Sequence, residues 1–126
     1  MNYKGIIIEE SLEDKDVLKD VQILKTKIFP VEEKDKTPWV ENWTLHTVEI
    51  VENKVEEVAK KISKAIDDKH AGSWFADFEN GTLHYIIFRD KIFKVEMTHT
   101  EQYEAAREYG KSLGIPEYQL GFNKND

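Results

Sequence analysis

Two histidines, His46 and His84, lie in apolar, strand-like stretches, and imidazoles so placed are the first candidates for chemistry in this sequence. His46 shares a strand face with Val48 and Ile50, and His84 shares one with Ile86 and Phe88. Both are expected to point into or beside one core and to approach each other across a sheet. With Glu9, Glu10 or Asp77 such a pair would make a mononuclear metal site or an acid–base site. A pocket between sheet and helices would take His46, His84, Glu10 and Tyr85 as its polar groups. The competing reading is that each is a half-buried, hydrogen-bonded histidine without a ligand. Spacing favours that reading, because neither belongs to an i,i+2 or i,i+4 ligand pair. His70 and His99 fall near element ends and read as solvated.

More specific motifs are missing. The six glycines are expected at turns and caps and form no phosphate-cradling loop. There is no Gly-x-Ser-x-Gly elbow and no His-Glu-x-x-His helix. The acids from Glu13 to Asp20 lack the Asp-x-Asp-x-Asp-Gly spacing of a calcium loop. No metal and no cofactor is expected, and a familiar hydrolase or nucleotide enzyme is disfavoured.

Aromatic residues are the other conspicuous group: Trp39, Trp43, Trp74, Phe75, Tyr85, Phe88 and Phe93. On a concave sheet they would line a site for a small planar ligand, but a domain of this size needs such residues as its core. Trp39 differs, since it lies in the charged, Pro-containing stretch from Glu32 to Glu41. Trp39 and Trp43 are therefore the candidates for contact with a protein partner.

The elements that must position these side chains are legible from periodicity. Lys4–Glu9, with its three isoleucines, reads as a buried strand. Ser11 and Asp14 suggest a weak cap for one or two helical turns. Val21–Val31 is expected to be extended, with Ile23, Leu24, Ile28 and Phe29 available to a core. Trp43–Val51 is a strand. Asn53–Asp67 is a helix whose inner face carries Val51, Val55, Val58, Ile62, Ala65 and Ile66, with Asn53 and Glu56 as a plausible cap pair. Gly72–Met97 reads as a three-strand meander, its first turn a type I′ at Asn80-Gly81. A last helix covers about Thr100–Leu113, closed by Gly114-Ile115-Pro116. The tail is expected to tuck Tyr118, Leu120 and Phe122 against the body. This order predicts an α+β fold: a five- or six-stranded, mostly antiparallel sheet with both helices packed on one face.

Size and charge narrow the classes. A chain of 126 residues is one domain, and its 40% apolar and 34% charged residues suit a globular protein. The net charge of −7 comes from 25 acids interleaved with 18 Lys and Arg, so no basic face for nucleic acid is expected. The absence of cysteine removes disulfides and thiolate chemistry. No apolar run reaches the length of a signal peptide or a membrane helix, so the expected location is cytoplasmic and no membrane partner is expected.

Two end segments carry a resemblance. Lys4-Gly5-Ile6-Ile7-Ile8-Glu9-Glu10-Ser11-Leu12 and Tyr109-Gly110-Lys111-Ser112-Leu113-Gly114-Ile115-Pro116 with Gln119-Leu120, joined by the Trp74 meander, resemble a family of small uncharacterised prokaryotic proteins with no assigned activity. The resemblance implies a single-domain fold and transfers no catalytic residue, since the matching positions are turn, cap and core types. The leading expectation is thus a non-enzymatic module that binds a protein partner or forms a homo-oligomer. The alternative is a small-molecule binder or an enzyme of unfamiliar type, using the histidine pocket.

Overall fold

The computed structural model describes residues 1–33, 37, 40–67 and 74–122. Among these described residues six strands are present: β1 (Tyr3–Ile8), β2 (Gln22–Pro30), β3 (Asn42–Ile50), β4 (Ala76–Glu79), β5 (Leu83–Phe88) and β6 (Lys91–Glu96). They form one sheet in the order β2-β3-β1-β4-β5-β6, and every neighbouring pair is antiparallel. Helices α1 (Val55–Ala65) and α2 (Tyr103–Ser112) complete the α+β architecture. β2 and β6 are the two edges.

Strand periodicity sorts the side chains onto two faces, because opposite residues in an antiparallel pair project to the same side. Tyr3, Gly5 and Ile7 of β1 lie opposite Ile50, Val48 and His46 of β3, and Gly5 lies opposite Phe78 of β4. Phe78 in turn faces Tyr85, and Ala76 faces Ile87. The apolar stripe of α1, Val55, Val58, Ala59 and Ile62, packs on this first face. The second face carries Ile6, Asp77, His84, Ile86, Phe88, Phe93 and Val95. There α2 supplies Tyr103 and Ala106, and the C-terminal turn supplies Ile115, Leu120 and Phe122.

The two helices therefore pack on opposite faces of the sheet, not on one. The physical reason is that β5 is buried on both sides. Tyr85 and Ile87 feed the α1 core while His84, Ile86 and Phe88 feed the α2 core, so two separate apolar layers need covering. Coverage of the second face stops at the meander: the cluster beneath α2 draws its strand residues from β5 and β6, and Ile6 of β1 stays 42% exposed.

Gly114 takes φ +91, Ile115 N–H donates to Gly110 and Gly114 N–H donates to Lys111, the two-bond closure expected for α2. Leu120 and Phe122 tuck in as expected, whereas Tyr118 is exposed. At Asn80-Gly81 only Gly81 has positive φ, so the turn is not type I′. The Asn80 carboxamide oxygen instead accepts from the N–H groups of Thr82 and Leu83, at 2.9 and 2.8 Å, which stabilises a different turn. Ahead of α1 the chain makes a 3-10 turn over Glu52–Lys54, and no Asn53–Glu56 cap forms. The side-chain oxygen of Asn2 accepts the Glu52 N–H at 3.2 Å. The stretch after β1 makes two 3-10 turns, Glu9–Ser11 and Lys15–Asp20, the second capped by Asp14 through the Asp16 N–H rather than by Ser11.

Candidate functional site

His84 enters from β5 and is buried under α2. Its Nε2 is 2.7 Å from Asp77 Oδ2 on β4, and its Nδ1 is 2.8 Å from the Tyr103 hydroxyl on α2. A carboxylate can only accept, so Nε2 donates to Asp77 and Nδ1 takes the Tyr103 proton. His46 enters from β3 on the other face. Its Nε2 donates to Glu9 Oε1 at 3.0 Å, and its Nδ1 accepts from Thr26 Oγ1 at 2.9 Å. The two imidazoles thus hold matching positions on opposite faces, each fixed by one acid and one hydroxyl.

That geometry separates the residues expected to converge. Glu9 reaches His46 and Asp77 reaches His84, so each acid finds a histidine, but the histidines do not share a cavity. Glu10 is engaged at the end of β3, where it accepts the Thr44 N–H at 2.6 Å and the Thr44 hydroxyl at 2.7 Å. Tyr85 lies on the α1 face and donates to Glu56 at 2.6 Å. Burial of the ring, then the bond to Glu56, push its hydroxyl up to about 12. Of the quartet, His84 thus stands on the face opposite His46 and Tyr85, Glu10 bonds Thr44 two residues from His46 on β3, and each of the four has its own hydrogen-bond partners. With both nitrogens of each histidine in use, neither ring offers a lone pair to a metal, and no group of three or more metal-ligating side chains occurs among the described residues.

A groove of about 520 Å³ lies between the Lys15–Asp20 turn and α1, lined by Asp14, Asp16, Asp20 and Lys60, Lys61, Lys64 among others. Within it Lys61 pairs with Asp20 at 3.2 Å, and Lys64 turns outward to Asp90, which does not line the groove, at 2.7 Å. None of the four expected pocket residues lines it.

The partner-contact candidates divide. Trp43 is half-buried, donates from Nε1 to Thr37 Oγ1 at 2.9 Å and packs on Trp74 at 5.8 Å between ring centroids. It belongs to the periphery of the α1 core. Trp39 lies outside the described residues.

The exposed apolar surface is elsewhere, on β2. All nine of its residues are exposed, including Ile23 at 43%, Leu24 at 44%, Ile28 at 65% and Phe29 at 47%. These four were expected in the core. They are not, because β2 is an outer strand that neither α1 nor α2 covers. Leu24 is set out of register by a bulge between Ile23 and Lys25. From Thr26 to Pro30 the pairing with β3 is regular. On one face stand Lys25, Lys27 and Phe29, opposite Thr47, Leu45 and Trp43; on the other stand Ile23, Thr26 and Ile28, opposite Val48, His46 and Thr44. The edge position had a sequence signal, namely two lysines within the strand, with a proline closing it.

No helix among the described residues is long and apolar enough to cross a membrane. No family model matches the chain, and neither the curated proteins nor the solved structures contain a significant match.

Proposed function

We propose that the protein is a non-enzymatic interaction module that receives an extended segment of a protein partner along the outer edge of β2. The observation that carries this reading is a nine-residue edge strand exposed throughout, with Ile28 and Phe29 presenting apolar side chains to solvent on its two faces. An edge strand offers a row of unpaired backbone donors and acceptors, and side chains alternating beside it supply specificity to an added strand. The two histidine networks support a structural role for the polar groups: the Thr26–His46–Glu9 chain ties β2 and β3 to the turn after β1, and so holds the edge in place. The same proposal keeps the chain with the small prokaryotic single-domain proteins that its end segments resemble.

The test is a random peptide library displayed on phage, panned on the full chain and counter-panned on the Ile28→Ser, Phe29→Ser double variant. Enrichment of strand-forming peptides that fail to bind the variant supports the reading. No peptide that distinguishes the two proteins contradicts it.

A further inference from the structure

Resting on the β2 reading, we infer that the segment received at this edge is acidic as well as apolar: an extended peptide with carboxylates at alternate positions, not a second copy of this chain. Lys25 and Lys27 project from the same face of β2, and among the described residues neither is paired with a carboxylate. In a protein of net charge −7, the strand from Gln22 to Pro30 carries two lysines and no acid. The edge is a local positive strip on an acidic molecule.

The sheet already solves the same pairing problem on the same face. Lys4 of β1 stands between Glu49 of β3 and Glu79 of β4, so opposite charges alternate along that row. The neighbouring row runs Lys25, Thr47, Ile6, Asp77 and ends outward at the lysine. An added strand that continues the alternation places acids beside Lys25 and Lys27 and apolar residues beside Phe29 and Ile28. For an antiparallel strand this reads, from its N-terminus, as two apolar residues, an acid, any residue, and a second acid.

A second copy fits poorly. Two-fold antiparallel pairing along the whole of β2 centres on Thr26 and sets Lys25 opposite the other copy's Lys27, twice over. Like charges directly opposite destabilise a strand pair, whereas opposite charges stabilise it. The lysines and the Leu24 bulge are also devices that discourage edge-to-edge self-pairing.

The probe is a fluorescein-labelled, end-capped peptide Thr-Val-Val-Glu-Thr-Glu-Thr, compared with its Gln and Lys counterparts at the two Glu positions. Binding to the full chain is followed by anisotropy. The Glu peptide is expected to bind about two- to thirtyfold more tightly than the Gln peptide, from two cross-strand charge pairs. The Lys25→Glu, Lys27→Glu variant is expected to reverse the order and prefer the Lys peptide. Equal binding of Glu and Gln peptides, lost in the Ile28→Ser, Phe29→Ser variant, overturns the acidic preference and leaves strand addition standing. No binding by any peptide, with a dimer in sedimentation that the same variant abolishes, makes a second copy the occupant and overturns the inference. No binding and no dimer overturns both.

Discussion

Lys25 and Lys27 stand side by side on one face of an edge strand, close enough that Lys27 lowers the pKa of Lys25, by direct contact first and charge second. An acidic protein has placed two like charges together where no neighbouring strand neutralises them. Reversing both charges on the full chain should leave thermal stability nearly unchanged, since exposed substitutions away from special features fall within about 0.5 kcal/mol. Thermal denaturation of Lys25→Glu, Lys27→Glu checks this, and a large loss would mean that the lysines serve the fold.

The same logic separates β2 from the true core. Ile28→Ser with Phe29→Ser should cost less than a core truncation, because Ile28 is 65% and Phe29 47% exposed. Ile86→Ala, at a fully buried position between β5 and α2, should cost about 2–5 kcal/mol. Urea denaturation of the two proteins reads the contrast directly.

Gly5, expected at a turn or cap, lies instead inside β1, packed against β4. A Cβ there would collide with the Asp77 carbonyl oxygen and lie 2.5 Å from Phe78 Cα, against backbone rather than a movable side chain. Gly5→Ala should destabilise by about 1–3 kcal/mol, the range for overpacking, and the loss appears as a lower urea midpoint.

Tyr103→Phe tests the buried network under α2. It deletes the hydroxyl that donates to His84 Nδ1 and leaves that nitrogen buried and unpaired. A loss of about 1–3 kcal/mol is expected in urea denaturation. A neutral effect would show that the Asp77–His84 contact alone anchors the ring.

Alkaline pH should weaken the fold through Tyr85. Its hydroxyl, ordinarily near 10.0, is raised to about 12 by burial and by Glu56. A group whose pKa is raised on folding gives stability that is complete below its unfolded value and lost as pH climbs through the folded one. The melting temperature should therefore fall between about pH 10 and pH 12, a window set by those two values. Tyr85→Phe should flatten part of the fall; Tyr3, raised first by burial, and Lys94, Lys61 and Lys111, raised by their bonds to Glu56, Asp20 and Glu117, contribute to what remains.

Much of the fold was legible because it is written in short-range patterns. The α1 stripe, the meander and the Gly114 closure each depend on residues within a few positions of one another. Which face a helix covers does not. Placing α2 opposite α1 follows from both sides of β5 being apolar, and Leu83–Phe88 could as well have been a strand with one buried face. The same gap explains the site. His46 and His84 each share the expected strand face, but three successive antiparallel registers, β3 to β1, β1 to β4 and β4 to β5, put His46 on the side of Tyr85 and His84 on the other. For β2, apolar content pointed to the core while the two lysines and Pro30 pointed to the edge, and strand order decided for the edge.

The most direct measurement is amide hydrogen exchange of the full chain, with and without the Glu-bearing peptide at saturation. Protection that appears along Gln22–Pro30 and nowhere else is the expected result. Protection centred on β6 or on the groove beside α1, with β2 unchanged, would contradict β2 as the receiving edge.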